Sequence, residues 1–283
     1  MPLLKEKFKK AIVVEGGGMR GIFAAGVLDH FYEMRFDPFD VYYGVSAGAC
    51  NLASHLGRQP GRNYRCYTKY MQMPEFFSKA KFFRGGHYMD LDWLWNYLET
   101  NETLNVAEAS KKHFYVTLTD VRTGKPLYVR ANPVTLADYL KASSSLPLLY
   151  RGFVGVEGRL LADGGITDSI PVETAARYGS KKIMVLRSRV DGYVKKSFTE
   201  THLLPQLFRK YPELRRAMKE REERYNKSIE FIKNPPKGIE VIEICPVTMN
   251  TGRTTKDLSI LNDDYNEGKR AGRRAIDRWR EMK

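Results

Sequence analysis

The sequence predicts an α/β fold of three layers, with helices on both faces of a mainly parallel central sheet. Three observations carry that expectation. Lys10-Ala11-Ile12-Val13-Val14-Glu15 has the apolar run of a buried strand and leads into Gly16-Gly17-Gly18-Met19-Arg20-Gly21 and a helical stretch. Val41-Tyr42-Tyr43 is a second short strand, and it leads into Gly44-Val45-Ser46-Ala47-Gly48 and a second helical stretch. Two further strand-like runs, 182–187 and 239–244, follow helical segments. Strands that alternate with helices imply parallel pairing and right-handed crossovers.

The elements follow in order. Residues 22–34 place Ile22, Ala25, Leu28 and Tyr32 three or four apart, the spacing of a one-sided amphipathic helix. Phe36-Asp37-Pro38 ends it, because proline disfavours helix in the residue before it. Residues 47–56 are small and apolar enough for a helix. From 58 to 98 the pattern loosens around Pro60-Gly61 and Arg84-Gly85-Gly86, and aromatic and methionine residues crowd in, from Tyr64 and Tyr67 to Trp95 and Tyr97. Most of these read as core packing. Their place directly after the serine helix also suits a cap over it, with an apolar wall.

Residues 113–119 alternate apolar and polar, and turn through Asp120–Lys125 into Pro126–Arg130 as a β-hairpin. Residues 135–143 suggest a helix capped by Thr135, leading to a small-residue bend, Ser143-Ser144-Ser145-Leu146-Pro147. A short strand, 159–162, delivers Asp163-Gly164-Gly165. A helix from Ile170-Pro171 to Tyr178 has proline in its first turn and Gly179 at its end. Residues 194–237 form a charged helical region, read as a solvated face of i,i+4 pairs or, second, as a membrane contact. Asn234-Pro235-Pro236-Lys237-Gly238 breaks it before the last strand, and a helix over about 263–282 closes the chain.

The 283 residues are 42% hydrophobic, enough for one large domain over 1–283. A core of about 8–190 would carry the chemistry, with 191–283 as an extension of charged helix, last strand and C-terminal helix. No apolar run approaches the roughly 18 residues that span a bilayer. The basic stretch 1–10 is followed by only four apolar residues before Glu15, too few for a signal peptide. The expectation is a cytoplasmic protein. Cys50, Cys66 and Cys245 are odd in number and lack C-x-x-C spacing, so neither a disulfide nor a metal site is expected. The 47 Lys and Arg against 33 Asp and Glu leave a formal charge of +14. Such a surface attracts nucleic acid, anionic membrane or acidic substrates, or simply keeps a protein soluble. No nucleic-acid motif accompanies it. Peripheral contact with an anionic inner membrane surface stays open.

Three glycine-bearing motifs sit at strand ends, which in a parallel sheet open on one side. In Gly44-Val45-Ser46-Ala47-Gly48 the serine has the setting of a nucleophile elbow, a sharp turn whose neighbours two residues away must lack bulk. Gly16–Gly21 satisfies the dinucleotide pattern G-x-G-x-x-G, yet the acidic residue that would hold a ribose after the second strand is missing, since that strand ends in Gly44-Val45-Ser46. The alternative use is as an oxyanion loop, unobstructed amides at a helix N-terminus facing Ser46. A serine needs a base. Histidine is poorly placed: only His202 lies late enough for the order Ser, Asp, His, and no glycine turn presents it. Asp163, at a tight turn, is better placed. In a pocket with little water, desolvation raises a carboxylate's basicity.

The set Glu15-Gly-Gly-Gly-Met-Arg20-Gly21, Gly44-Val-Ser-Ala-Gly48 and Asp163-Gly-Gly165 resembles the patatin-like phospholipase family in order, spacing and strand-end placement, over about residues 10–186. The bend 141–147 adds to the resemblance. It implies a Ser–Asp dyad with no histidine: Ser46 as nucleophile, Asp163 as general base, and Gly16, Gly17, Gly18, Met19 and Arg20 as the oxyanion loop. Gly21, Gly44, Gly48, Gly164 and Gly165 would be the elbow and turn glycines. It implies a lipid or ester substrate and no metal or organic cofactor. Glu15 stands where many members have Asp, and Val45 where Thr is frequent. Two other expectations stay open, a Ser-His-Asp esterase using His202 and a catalytically weak membrane-binding regulatory module of the same fold.

Overall fold

A computed structural model describes residues 8–195 and 208–282. Eight strands form one sheet: β1 (Lys10–Val14), β2 (Val41–Val45), β3 (His113–Asp120), β4 (Pro126–Arg130), β5 (Val154–Val156), β6 (Arg159–Asp163), β7 (Lys182–Leu186) and β8 (Glu240–Ile244). Their order is β5-β6-β3-β2-β1-β7-β8, with β4 also paired to β3. Strands β3, β2, β1, β7 and β8 are mutually parallel. Strands β4, β5 and β6 run antiparallel to their neighbours, so the sheet is mixed at one end.

One feature of the register sets up the site. Tyr115, Val116 and Thr117 of β3 pair with both β2 and β4, and Leu118 and Thr119 with both β4 and β6. Strands β2 and β6 therefore share the edge of β3 opposite β4 and meet there end to end. Val45 pairs with Thr117 and Asp163 with Leu118, adjacent rungs. The residue after β2, Ser46, and the last residue of β6, Asp163, are thus brought face to face by strand pairing alone.

The helices among the described residues are α1 (Gly21–Glu33), α2 (Ala47–Leu56), α3 (Arg62–Thr68), α4 (Lys79–Phe83), α5 (Leu91–Asn101), α6 (Val106–Ala109), α7 (Leu136–Ser144), α8 (Val172–Arg177), α9 (Pro212–Lys219), α10 (Arg221–Lys233) and α11 (Leu258–Glu281). The central strands are apolar on both faces, as parallel strands covered by helices require. Ile12, Val14, Tyr42, Phe114 and Met184 join one core with residues of α1, α2, α5, α7 and α11. Their neighbours Ala11, Val13, Tyr43, Tyr115 and Ile183 join a second core with Val172 and Ala175 of α8 and Tyr225 and Ile232 of α10. These two cores define the three layers.

Helix α1 departs from the one-sided expectation. Gly21 to Phe31 are all buried, whereas Tyr32, expected on the apolar face, is 40% exposed. The reason is α11, which lies along the outer side of α1. A Cβ on Gly26 would sit 2.1 Å from Tyr265 O, and one on Gly268 2.1 Å from Phe23 O, so the two backbones touch where each helix carries glycine. Helix α11 also starts earlier than expected, because the Asp257 side chain accepts the N–H groups of Ser259 (2.8 Å) and Ile260 (3.2 Å) and caps it there. At α7, Thr135 holds the N-cap position but its side chain makes no capping bond; Asn132 Oδ1 instead accepts the amides of Val134 and Thr135, at 3.0 Å each, in the turn before the helix. No described helix is long and apolar enough to cross a membrane.

Candidate active site

Ser46 sits between β2 and α2 with φ 52° and ψ −126°, a left-handed conformation uncommon for a residue with a side chain. The packing of its glycine neighbours fixes this turn. A Cβ on Gly44 would lie 2.5 Å from Ala49 Cα, and one on Gly48 2.4 Å from Val14 O. Ser46 N–H donates to Ser143 Oγ at 2.8 Å, and Ser143 Oγ–H donates to Thr117 O at 2.7 Å. The serine-rich bend thereby ties the elbow to β3. Ser46 is 8% exposed, and its Oγ–H donates to Asp163 Oδ2 at 2.9 Å.

Asp163 is 5% exposed. Its N–H donates to Ser145 O (3.2 Å), and its carbonyl accepts Thr119 Oγ–H (2.8 Å). Its other carboxylate oxygen, Oδ1, accepts Gly165 N–H at 2.7 Å. A Cβ on Gly164 would come 2.2 Å from Thr117 O, so only glycine lets the turn close against β3. Burial pushes the Asp163 carboxyl above the ordinary carboxylate range. Arg221, Gly165 N–H, the Ser46 hydroxyl and Arg253 pull in the opposite direction, in decreasing order.

The glycine-rich loop runs beside Ser46. A Cβ on Gly16 would lie 2.8 Å from Ser46 Cβ and from Val45 O, and one on Gly21 2.3 Å from Tyr67 Oη. Gly16 O accepts Ser188 Oγ–H at 2.8 Å. Gly18 has φ +60° and, with Met19, faces the cavity that contains Ser46. Met19 departs from the expected set of open donors: its N–H donates to Arg253 O at 3.1 Å. Gly17 and Gly18 N–H have no partner among the described residues. Arg20 is 7% exposed with Nε unpartnered there, and burial, followed by Arg189 and Arg253, holds its pKa down at about 10. Glu15 anchors the loop from below. Its carboxylate accepts Ser188 N–H (2.8 Å) and Tyr225 Oη–H (3.0 Å) and faces the buried Arg187 at 3.7 Å.

The cavity leading to Ser46 is overwhelmingly apolar. Met71, Phe76, Phe77, Met89, Leu94 and Trp95 wall it, all from the stretch expected either to pack in the core or to cap the serine. Both expectations hold, because the same residues pack on the core and face the cavity.

Four histidines lie elsewhere: His30 pairs with Glu33, His55 is half-buried facing Asp37, His87 stacks on Tyr150, and His113 packs at a tilt against Phe8. His202 lies outside the described residues. The three cysteines are free thiols, and no group of three His, Cys, Asp or Glu suited to a metal exists among the described residues. Two site residues escaped sequence reasoning. Arg221 opens α10 within the charge run, its Nε–H donating to Gly165 O at 2.6 Å, and Arg253 precedes α11 and lines the cavity. Nothing in a string of alternating charges distinguishes Arg221 from solvated neighbours such as Arg216, which pairs with Glu213 on the surface, and Arg253 lies in a polar loop without a motif.

Fold and motif together define an α/β hydrolase-type protein with a serine elbow. The patatin-like phospholipase family matches residues 12–176, so the chain belongs to that family and is a hydrolase. A domain of unknown function (DUF6363) matches residues 211–283. The chain is 34% identical over 278 residues to the uncharacterized protein YjjU of Escherichia coli K12, covering 93% of this chain and 76% of that protein. It is 26% identical over 205 residues to the probable lipid hydrolase 463L of Invertebrate iridescent virus 6, covering 63% and 67%. Among solved structures, VipD from Legionella pneumophila aligns at TM-score 0.47 and 12% identity, covering 96% of this chain and 67% of that one.

Proposed function

We propose that the protein is a lipid acyl hydrolase that works through an acyl-enzyme on Ser46, with Asp163 as the only base. The observation that carries this reading is the 2.9 Å hydrogen bond from Ser46 Oγ to Asp163 Oδ2 in a nearly dry site. Burial raises the carboxylate's basicity, and Gly165 N–H fixes its orientation through the other oxygen. As Ser46 Oγ attacks the ester carbonyl carbon, its proton passes to Asp163. The carbonyl oxygen becomes an anion, and Gly17 and Gly18 N–H, at the entry to α1, are the amides free to receive it. Collapse of the intermediate breaks the ester bond. Asp163 returns the proton to the leaving alcohol, then takes one from the water that attacks the acyl-enzyme. The carboxylic acid leaves, and Ser46 is protonated again.

The apolar cavity suits the acyl chain. The surplus positive charge suits a lipid presented on an anionic membrane, where each Lys or Arg near the surface contributes about 1 kcal/mol. The test is hydrolysis of a short p-nitrophenyl ester and of anionic phospholipid vesicles by wild type, Ser46→Ala and Asp163→Asn. Both variants are expected to lose activity by at least about a thousandfold. Near-wild-type rates in Asp163→Asn would overturn the dyad and turn attention to His202. Failure of a fluorophosphonate probe to label Ser46 would favour a regulatory role for the fold.

A further inference from the structure

The match to 211–283 attributes no role to that segment, yet its first long helix touches the turn that carries Asp163. Helix α9 ends at Lys219, Glu220 is the single cap residue between the helices, and α10 begins at Arg221. Of the arginines to either side, exposed Arg216 pairs with Glu213 and Glu220 as the charge pattern suggests, and half-buried Arg224 pairs with Glu220 and donates to Ala217 O (3.0 Å) and Ile166 O (3.4 Å). Arg221 differs. Its guanidinium turns inward, and Nε–H donates to Gly165 O at 2.6 Å. A Cβ on Gly165 would lie 3.4 Å from Arg221 Nη2, so the side chain lies directly against the turn. No ion pair is formed by Arg221 among the described residues. Arg221 is half-buried, so part of its hydration is given up for these contacts.

We propose that Arg221 is a positioning residue of the hydrolase site. Resting on the Ser46–Asp163 reading, the assignment is that Arg221 clamps the Asp163-Gly164-Gly165 turn through Gly165 O and supplies the main positive charge facing the base. Gly165 is gripped from both ends of its peptide units, its N–H by Asp163 Oδ1 and its carbonyl by Arg221 Nε–H and, at 2.8 Å, by Ser169 Oγ–H. Loss of Arg221 leaves the Gly165 carbonyl to Ser169 alone and loosens the turn that orients the carboxylate. The groups facing Asp163 are Arg221 from α10, Arg253 from the loop before α11, the Gly165 amide, and Ser46 and Cys50 from the elbow and α2. Of the two cations, Arg221 has the larger effect. It offsets part of the rise that burial imposes, so the base is still charged when a serine proton must be taken. The charged segment 211–283 thereby becomes part of the active site.

The experiment is the pH profile of kcat/KM for a soluble ester, measured on the full chain for wild type, Arg221→Met, Arg221→Gln, Arg221→Lys, Arg216→Gln and Asp163→Asn. Removing the cation raises the Asp163 pKa further, so in Arg221→Met and Arg221→Gln the acid limb moves to higher pH. Their kcat at neutral pH falls by about tenfold to hundredfold, with KM within about twofold. Arg221→Lys keeps the charge and brings the limb back towards wild type, with part of the rate. Arg216→Gln matches wild type. Arg221→Gln retains a donor towards Gly165 O, and carries the test if the apolar variant fails to fold. An inactive Asp163→Asn beside an unmoved acid limb in the Arg221 variants, or a limb that lysine fails to restore, overturns the Arg221 assignment alone. An active Asp163→Asn overturns it together with the dyad.

Discussion

The two turns that meet at the site are held in different ways. The elbow and the glycine-rich loop are fixed by shape: Gly16, Gly44 and Gly48 each lie so close to Ser46, Ala49 or the β1 backbone that no side chain fits. The Asp163 turn is shaped by Gly164 only where it faces β3. Its outer side is held by hydrogen bonds and charge, from Gly165 N–H and from Arg221 of the C-terminal segment. Steric restraint is unforgiving and insensitive to pH. Electrostatic restraint is adjustable, and it tunes the protonation of the group it holds. In the proposed dyad the nucleophile would need a fixed position and the base a tuned proton affinity, so each kind of restraint would serve the group it suits.

The largest effect expected from breaking this contrast is on the steric side. In Gly48→Ala the new methyl meets Val14 O at 2.4 Å and Glu15 O at 2.7 Å, both backbone atoms of β1 and the loop after it. Neither can yield without moving Ser46 against the loop. A displacement of about 1 Å at a reacting centre costs about a hundredfold or more in rate, so kcat should fall by at least that much at every pH. A variant that only shifted the pH profile would refute the steric account.

A smaller effect is expected where the C-terminal segment docks. Gly26→Ala thrusts a methyl to within 2.1 Å of Tyr265 O and pries α11 from α1. Overpacking of this kind costs about 1–3 kcal/mol, a fall in Tm of about 2–10 °C for a chain of this size. The contact lies away from Ser46, so kcat per folded molecule should change far less than in Gly48→Ala. Calorimetry beside active-site titration separates the two effects, and a kcat loss as large as that of Gly48→Ala would contradict the assignment.

The same contrast explains what could be read from sequence. Steric restraint leaves a local signature, because a backbone that must touch another backbone needs glycine. Gly16–Gly18, Gly44, Gly48 and Gly164 announced their turns, and with them Ser46 and Asp163. The parallel strands were legible as continuous apolar runs. Long-range restraint leaves none. Arg221 looks like Arg216 in the chain, and only packing separates the inward one from the outward one. The all-round burial of α1 was hidden for the same reason, since it depends on α11, far away in the chain. The antiparallel direction of β5 and β6 was equally unwritten, because short strands carry no mark of direction. The Thr135 cap expected at α7 is not made, and Asn132 holds the turn before the helix through the amides of Val134 and Thr135.

The finest version of the comparison lies between two aspartates on the same stretch. Asp163 faces two arginines, whereas Asp168 faces hydroxyls: Tyr128 Oη–H donates to its Oδ2 at 2.6 Å, and Thr174 Oγ lies at 3.5 Å. With no cation among the main influences on it from the described residues, burial pushes the Asp168 carboxyl up to about 6. The folded value lies above the unfolded one of about 3.9. The stabilising contribution of this group is therefore fully present below about pH 4 and is lost as pH rises through about 6. Asp168→Asn keeps the size and an acceptor for Tyr128 but cannot ionise. It should raise Tm at pH 8 relative to wild type, and the gap should close as pH falls towards 4. Melting curves of both proteins across that range check the sign. A Tm gap that stays constant with pH would mean that the Asp168 charge is already compensated, and the contrast between a carboxylate held by arginine and one held by hydroxyls would lose its energetic basis.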